Sequence, residues 1–491
     1  MTATTVVEPA GGSERSKGYP PREQALAWRA LIAVGIAYLV AQVALISLSR
    51  PPGWDETVYL SQVMPGADAL EFLAWRARGI TLLVAPVTWL GGSVRDVRLF
   101  LMAASALTMV VTFRLWIPLI GLAAPAAAVL FSFSWLGLLS GTEVMPNLWA
   151  GLLGLATAGL IARRLEGGER WHAVLASAVL AVMALVRPTE ATVAAGAIGL
   201  YIVACRRSDW RLLFGLGLGL VLGWLPWFIE MSIRFGGPMN ALDEAAVEHF
   251  AKASVAQNVV LHLAFTDGRP EGSPAALGGV LWWSLLAILA IVAIARAPRS
   301  TDRVVAILAC FGAIALATEY LVFVSALAPR FLLPAYAFAS LPTAIGLVTL
   351  LRGGVVSRVA GVLVLVLVLP WAIWQGDVAR RFQDNRMIST LAFRDVGLKL
   401  RELADGRPCS FMSPHGYPQI SFTSGCDGSD LLRPSGPKPT ELEELRRDGE
   451  ELFVILKRAA PATSPLDSLI PVPVPGPGRT WLIYHVSGTT D

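Results

Sequence analysis

Long apolar stretches recur along the chain from Ala30 to Trp374 and then stop. A helix needs roughly 20 apolar residues to cross a bilayer, and these stretches have about that length. Because lipid offers no hydrogen-bond partner to a backbone, segments of this length in lipid must be helical. Only 15% of the residues are charged, and the mean hydropathy is +0.59. The sequence therefore predicts a polytopic α-helical membrane protein.

We expect about eleven transmembrane helices, each matching one apolar stretch. They are predicted at residues 30–48, 97–117, 123–141, 144–163, 171–187, 189–205, 212–231, 277–295, 304–327, 331–351 and 355–374.

Arginines mark alternate loops between these spans, such as Arg163 and Arg164, then Arg206 and Arg207. Positive loops face the cytoplasm, so residues 1–28 are predicted to form a cytoplasmic N-terminal tail. An odd number of spans then places the C-terminus outside the cytoplasm. The first apolar segment lacks a small-residue cleavage site and is interpreted as a retained signal anchor. The basic residues form no concentrated patch, which argues against a nucleic-acid partner.

The composition becomes polar and rich in Pro and Gly after Gln375. We predict that residues 29–375 form the transmembrane domain and residues 376–491 an extracytoplasmic α/β domain. Its expected strands are residues 410–413, 420–423, 452–456 and 481–486, and its expected helix is residues 439–447. The prolines between Pro461 and Pro477 indicate a linker or an ordered loop.

Cys409 and Cys426 both lie in this outer domain. A disulfide between them requires an oxidising compartment, and so agrees with a domain outside the cytoplasm. Closing such a short loop would stabilise the domain by about 3 kcal/mol in the chain-entropy description. Two unpaired thiols are the alternative.

The first outer loop, residues 49–96, contains Trp54-Asp55-Glu56 directly after the first span. Two neighbouring carboxylates at a membrane surface are candidates for catalysis, although acidic residues also cap helix N-termini. The segment from Thr57 to Met64 is expected to lie flat on the membrane, with Val58, Leu60 and Val63 toward lipid.

Glu143 stands at the outer end of the fourth predicted span, inside an otherwise apolar stretch. An ionisable group is costly in that setting and is a site candidate by default. The alternative is a glutamate that caps a helix or reaches up to the interface.

Two outer turns carry an arginine beside a proline, at Arg187-Pro188 and Pro329-Arg330. An arginine fork can hold two phosphate oxygens at once, so both residues are candidate anion ligands. Anchoring to lipid head groups is the alternative for each.

The second outer loop, residues 232–276, is expected to contain a helix over residues 240–255 with a solvated acidic face. His249 and His262 lack the spacing of zinc ligands, so no metal site is assigned. The chain has no P-loop, no dinucleotide glycine motif and no nucleophile elbow.

An Asp-Glu pair in the first outer loop, an acid at the outer start of the fourth span, Leu-Val-Arg-Pro and Arg-Phe-Leu-Leu-Pro follow one another along the chain. In this order they resemble the C-type superfamily of integral membrane glycosyltransferases, particularly its protein O-mannosyltransferase and aminoarabinose transferase branch. The resemblance covers about residues 30 to 375. It implies an active site outside the membrane and a sugar donor on polyprenyl phosphate.

The resemblance also implies roles for individual residues. Asp55 matches the essential first-loop acid, Glu56 its neighbour, Glu143 the second-loop acid and Arg330 the arginine near the lipid phosphate. Relatives often have Asp where this chain has Glu143. Arg187 or Arg78 is expected to assist Arg330 in binding the phosphate.

These matches imply an inverting transfer of a mannose- or arabinose-like sugar to an extracytoplasmic hydroxyl of a glycan, a lipid or a protein. Asp55 would be the base, with a pKa raised by partial burial. A divalent cation bridging Asp55 or Glu143 to the phosphate is compatible with the resemblance, although nothing in the sequence requires one.

Two other classes of function fit parts of the sequence. A transporter or flippase for a lipid-linked envelope precursor would also place polar residues at helix ends. A scaffolding protein would be favoured if Asp55 and Glu143 lay far apart. Heavy use of Ala, Gly, Val, Arg and Leu is typical of GC-rich bacteria, so a bacterial cell (inner) membrane is the expected location.

Overall fold

The computed structural model describes residues 18–204, 209–249, 254–266, 277–324, 328–431, 436–438, 440, 442, 450–461, 464–476 and 479–486. The eighteen α-helices of these residues, α1 to α18 in chain order, span Pro21–Leu45, Trp54–Ser61, Gly79–Trp89, Val94–Arg114, Ile117–Ile120, Ala123–Ser132, Trp135–Ser140, Asn147–Leu165, Trp171–Val186, Pro188–Ala204, Trp210–Arg234, Pro238–His249, Val255–Thr266, Leu277–Arg296, Ser300–Thr318, Leu333–Arg352, Val355–Ala404 and Tyr417–Ser424. A π-helical turn, Glu319–Phe323, extends α15, and a 3₁₀ turn, Pro329–Leu332, precedes α16. The strands β1 to β5 span Cys409–Ser413, Asp427–Asp430, Glu451–Leu456, Val472–Gly476 and Arg479–Val486.

Eight helical segments among the described residues are long and apolar enough to cross a membrane. They are Pro21–Leu45, Val94–Arg114, Asn147–Leu165, Trp210–Arg234, Leu277–Arg296, Ser300–Phe323, Pro329–Arg352 and Val355–Ala404. The polytopic α-helical prediction is confirmed.

Three of the eleven predicted spans coincide with shorter helices. The predicted span 123–141 is broken into α6 and α7, and the predicted spans 171–187 and 189–205 correspond to α9 and α10. The number of membrane crossings therefore stays a prediction.

The helices α8 and α16 lie at the centre of the bundle. In each, 78% of the most apolar window is buried inside the protein, compared with 11% for α17 and 22% for α14. A methyl group at Gly346 would lie only 2.0 Å from the carbonyl oxygen of Leu289, so α14 and α16 can approach this closely only at a glycine. The outer helices keep an apolar face for lipid.

The helix α17 continues through the expected boundary between the two domains. The predicted span ended at Trp374, but the helix runs on to Ala404 and packs Val396 and Leu400 into the core of the C-terminal domain, called the outer domain after its predicted location. The outer domain is thus joined to the bundle by a continuous helix.

The outer domain is a small α/β module, as predicted, with strand order β2-β1-β3-β5-β4. Strand β1 pairs in parallel with β2 and β3, and β5 pairs antiparallel with β3 and β4. Strand β4 was expected to be a linker or loop because of its prolines. Pro473 and Pro475 are accommodated because β4 is an edge strand, where one side of the backbone needs no partner.

The prediction of a strand at residues 420–423 is wrong, since this segment belongs to helix α18. Gly416 and Gly425 flank the helix with φ of 68° and 79°, and Pro418 lies in its first turn, which suits a helix start. A short apolar run does not distinguish a strand from a buried helix. The predicted helix 439–447 lies almost entirely outside the described residues.

A disulfide joins Cys409 and Cys426, whose Cα atoms are 4.8 Å apart. It ties the start of β1 to the residue that precedes β2. The structure thus contains the pairing considered from the sequence, at the edge of the outer sheet.

The helix α2 does not lie on a lipid surface. Val58 and Leu60 are 4% and 1% exposed and pack against Phe72, Ile80 and Val84 inside the protein. The expectation of an interfacial helix with these side chains toward lipid is therefore wrong, because the first outer loop folds back over them. In the second outer loop, where a helix over residues 240–255 was predicted, α12 spans Pro238–His249, and residues 250–253 lie outside the described residues.

Candidate active site

Two prolines interrupt helices and place arginines at one end of the bundle. Arg187 has an extended backbone, with φ of −150°, directly before Pro188. Ala328 is likewise extended, with φ of −144°, before Pro329 and Arg330. Proline disfavours the helical conformation in the residue before it, so α9 ends before Pro188 and a new 3₁₀ turn begins at Pro329.

The helix α2 carries Asp55 and Glu56, and it begins directly after Pro51, Pro52 and Gly53. The backbone N–H of Gly53 donates to Glu56 Oε2 at 2.9 Å, and Thr57 Oγ1 donates to the Gly53 carbonyl at 2.7 Å. Trp54 packs edge-to-face on Tyr417 of α18, with ring centroids 4.9 Å apart. The helix is therefore fixed by its own cap and by the outer domain.

Asp55 is held between two arginines. Its Oδ1 lies 2.7 Å from Arg76 Nη2, and its Oδ2 lies 2.5 Å from Arg330 Nη2. Burial raises the pKa of the Asp55 carboxyl, but Arg330 and Arg76 outweigh burial and lower the pKa below its ordinary value. The expectation of a raised pKa is thus wrong, because the sequence did not reveal the two cations. Asp55 is ionised at neutral pH.

Asp55 and Arg330 line a cavity with an empty volume of about 1170 Å³. This cavity is called the Asp55 cavity below. Its other polar lining residues are Tyr59, Arg76, Asn147, Arg187, Thr189, Glu319 and Tyr320.

Aromatic rings form much of the remaining wall of the Asp55 cavity. They are Trp75, Trp224, Trp227 and Phe331. Such a wall suits a ligand that has both charged and apolar parts.

Glu56 points away from the Asp55 cavity and is 3% exposed. Its carboxylate pairs with Arg50 and Arg98, each at 3.1 Å, and accepts a hydrogen bond from the Val144 backbone at 3.3 Å. Burial raises the pKa of this carboxyl, but the two arginines and the Gly53 N–H reverse the effect and lower the pKa to about 2. Glu56 was predicted to be catalytic, but the structure places it in a buried charge network behind α2.

Glu143 belongs to the same buried network. Its Oε1 lies 3.0 Å from Arg50 Nη2 and 2.7 Å from Arg386 Nη1, and the residue is 4% exposed. Its chain neighbours Met145 and Asn147 line the Asp55 cavity, whereas Glu143 does not. Asp55, Glu143 and Arg330 therefore lie in one region, but only two of them face the cavity.

The other two predicted phosphate ligands, Arg187 and Arg78, lie in different surroundings. Arg187 lines the Asp55 cavity, where its Nε lies 2.6 Å from Glu190 and its Nη2 donates to Tyr320 at 2.8 Å. Arg78 bonds to Glu230 at 2.6 Å and to Gln62 at 2.8 Å, and it is not among the described residues that line the cavity.

Sequence reasoning missed Arg76, Asn147 and Glu319. Arg76 lies two residues before the predicted Arg78, so the correct segment was identified with the wrong arginine. Asn147 follows Pro146 at the start of α8, in the same motif as Glu143. Glu319 ends an apolar run, and that costly placement was the signal that could have identified it.

Arginines form ion pairs with the carboxylates of Asp55 and Glu143. Asp55 and Glu143, suggested as ligands of a divalent cation, contact two arginines each. Across the described ranges, no group of three or more His, Cys, Asp or Glu side chains is arranged to hold a metal. A divalent cation at Asp55 or Glu143 would have to compete with these arginines, and it stays a prediction.

The fold is similar to that of a solved membrane protein, ArnT from Cupriavidus metallidurans, whose structure was determined bound to undecaprenyl phosphate. The two chains superpose with a TM-score of 0.64 and 15% identity, over 93% of this chain and 98% of ArnT. The apo structure of ArnT gives a TM-score of 0.65.

Two further solved structures share the architecture. Arabinofuranosyltransferase AftD from Mycobacteria matches with a TM-score of 0.58 and 14% identity, over 94% of this chain and 40% of AftD. The Archaeoglobus fulgidus oligosaccharyltransferase, solved with Zn and sulfate, matches with a TM-score of 0.52 and 11% identity, over 86% of this chain and 68% of the other.

No protein-family model matches the sequence, and no curated protein matches it. At 11 to 15% identity the shared property is the overall fold. The chain is a multi-pass membrane protein that shares its fold with ArnT, AftD and the Archaeoglobus fulgidus oligosaccharyltransferase.

Proposed function

We propose that the protein is an inverting glycosyltransferase that moves a sugar from a polyprenyl-phosphate donor to an acceptor hydroxyl outside the cytoplasm. The single observation that carries this proposal is the Asp55 carboxylate between Arg76 and Arg330 in the wall of a partly apolar cavity. ArnT, which shares the fold, was solved with undecaprenyl phosphate. A carboxylate beside cations provides a base next to a binding site for a leaving phosphate.

Arg330 is suited to hold the donor phosphate while it remains paired with Asp55. Its Nη2 contacts Asp55, but its buried Nε has no hydrogen-bond partner among the described residues. Arg76 has the same arrangement, with Nη2 on Asp55 and an unpartnered buried Nε. Each guanidinium therefore keeps an N–H donor that no described residue satisfies, and in the proposed donor complex this group binds a phosphate oxygen.

In the proposed reaction an acceptor oxygen attacks the anomeric carbon from the side of Asp55. The bond between this oxygen and the anomeric carbon forms, the bond from that carbon to the phosphate oxygen breaks, and the acceptor proton passes to Asp55. Polyprenyl phosphate leaves on the opposite face, so the anomeric centre is inverted. The leaving phosphate needs no proton, because arginines stabilise its charge.

The lowered pKa of Asp55 makes it a weak base in the resting enzyme. The negative charge of a bound phosphate would offset part of the effect of Arg330 and Arg76 on Asp55. Asp55 would therefore be a stronger base in the donor complex than in the resting enzyme. The acceptor hydroxyl also becomes more acidic as its bond to the sugar forms. Proton transfer late in the step is therefore compatible with a weak carboxylate base.

The proposed function is tested by incubating the purified protein with polyprenyl-phosphate mannose and polyprenyl-phosphate arabinose and a panel of envelope glycan, lipid and peptide acceptors. Mass spectrometry should detect an acceptor heavier by one sugar residue and free polyprenyl phosphate. Movement of the intact donor across vesicles without transfer would instead support a transporter or flippase.

Replacing Arg330 by Gln should lower kcat/KM by roughly 100-fold, since one charge-stabilising contact is typically worth about 3 kcal/mol in the barrier. Arg330→Lys should retain part of the activity, because it keeps the charge but loses the fork of donors. The readout is steady-state transfer at matched protein levels. The control is Arg394→Gln, which changes an exposed arginine on α17 and should leave kcat/KM unaltered. Equal rates for Arg330→Gln and wild type would remove Arg330 from the phosphate site.

A further inference from the structure

Two polar side chains in the wall of the Asp55 cavity lack partners for part of their hydrogen-bonding capacity. Asn147 is 1% exposed, and neither its Oδ1 nor its Nδ2 bonds to any described residue. Glu319 lines the same cavity, and its buried Oε2 is likewise without a partner there. Unmet buried amides and carboxylates are costly, so such groups in a cavity wall indicate a polar ligand.

The chemistry of these groups does not suit the phosphate. The arginines Arg76, Arg187 and Arg330 supply the positive charge of the cavity, whereas Glu319 carries a carboxyl that would repel a phosphate if ionised. Neither Asn147 nor Glu319 suits the apolar polyprenyl chain. Both match hydroxyl groups, since a carboxyl oxygen accepts from an O–H and an amide can donate to one hydroxyl while accepting from its neighbour.

We infer that Asn147 and Glu319 recognise the ring hydroxyls of the transferred sugar and so determine which donor the enzyme accepts. This inference rests on the proposed function. In that reaction the anomeric carbon lies between the phosphate at Arg330 and the base Asp55, which places the sugar ring inside the Asp55 cavity. Asn147 starts α8 and Glu319 starts the π-helical turn, so two separate elements contribute to the sugar site.

The π-helical turn that begins at Glu319 is held by a buried asparagine. Asn258 Nδ2 donates to the carbonyls of Leu321 and Val324 at 3.3 and 3.1 Å. A π-turn adds a residue to a helical turn and is frequent at functional sites. This anchoring fixes the backbone that carries Glu319, as a specificity residue requires.

The test compares donors that differ by one hydroxyl. Wild-type protein is assayed with the polyprenyl-phosphate sugar it uses and with each monodeoxy analogue of that sugar. Loss of the hydroxyl that bonds Asn147 should lower kcat/KM by roughly 10- to 100-fold, because the amide is left unpaired. Wild-type rates that are equal for all deoxy donors would overturn the inference without any variant being made.

The variant Asn147→Leu should lose a similar factor with the parent donor but lose nothing further with the matching deoxy donor. The ratio of kcat/KM for parent and deoxy donors should therefore approach one, a change that a merely structural role would not produce. Glu319→Gln should lower the ratio at a different hydroxyl. The control Asn385→Leu alters an exposed asparagine on α17 and should preserve the wild-type ratio.

The outcomes separate this inference from the proposed function. If wild type transfers sugar but Asn147→Leu and Glu319→Gln keep the wild-type ratios, only the inference fails. Asn147→Leu can also be assayed with parent and deoxy acceptors. If the ratio of kcat/KM for parent and deoxy substrates approaches one for the acceptors but not for the donors, Asn147 binds the acceptor and the donor assignment fails. If wild type transfers nothing from any polyprenyl-phosphate sugar, the proposed function fails and the inference fails with it.

Discussion

Asp55→Asn should lower the rate of sugar transfer by about 10²- to 10⁴-fold, the range typical for loss of a positioned general base. The amide keeps the size of the side chain but cannot take the acceptor proton, and it leaves Arg76 and Arg330 without their shared carboxylate. Single-turnover transfer with saturating donor measures the chemical step. The fall should appear in kcat, while binding of polyprenyl phosphate persists or tightens.

A matched control for Asp55→Asn is Asp68→Asn in the same outer loop. Asp68 is exposed and lies outside the Asp55 cavity, so its variant should retain wild-type kcat. Asp55→Asn with wild-type kcat would remove Asp55 from the role of base.

Glu56→Gln should lower the stability of the folded protein by about 3 to 5 kcal/mol, the cost of breaking a buried ion pair from one side. The variant leaves Arg50 and Arg98 buried without a full counter-charge and weakens the cap of α2. We expect a clear fall in the apparent melting temperature in detergent, followed by the fluorescence of the 16 tryptophans. Donor and acceptor should still react at low temperature in the fraction that remains folded.

A fall in pH should weaken the buried ion pairs of Glu56 with Arg50 and Arg98. The carboxyl of Glu56 has an ordinary pKa of 4.5 and a folded pKa of about 2. Because the folded pKa is the lower one, its contribution to stability is complete above about pH 4.5 and is lost as the pH falls toward 2. As the pH falls from about 4.5 to about 2, the melting temperature of wild type should therefore fall by more than that of Glu56→Gln.

The exposed Glu71 in the same loop provides the control for both measurements. Glu71→Gln should melt like wild type and show the wild-type response to acid. A Glu56→Gln variant that is fully stable but inactive would contradict the structural role and return Glu56 to the candidates for catalysis.

The helical membrane architecture could be predicted from the sequence, because the length and apolarity of a segment are enough to identify a membrane-spanning helix. The continuous apolar runs that became α11 and α14 needed no tertiary information. The prolines after Arg187 and before Arg330 also have local consequences, since each disfavours the helical conformation in the residue before it. Both arginines were therefore correctly identified as residues at helix breaks.

The assignment of neighbouring acids was not accessible from the sequence. Asp55 and Glu56 are adjacent on α2, and consecutive helical residues point about 100° apart. One faces the cavity and the other faces Arg98, which is 42 residues away in the sequence. Only the tertiary packing of α2 against α4 and the outer domain determines which acid faces the Asp55 cavity.

The pKa of Asp55 shows the same limit. Burial alone predicts a raised pKa, and the sequence indicated burial. The opposing cations come from Arg76, 21 residues along the chain, and from Arg330, 275 residues along it. Contacts over such separations are set by the fold and not by local pattern.

The central claim is that the Asp55 cavity binds the polyprenyl-phosphate donor, and cryo-electron microscopy of the protein with polyprenyl phosphate tests it most directly. The claim predicts density for the phosphate inside the Asp55 cavity, within hydrogen-bond distance of the Arg330 guanidinium. Density for the phosphate at another site, with the Asp55 cavity empty, would contradict it.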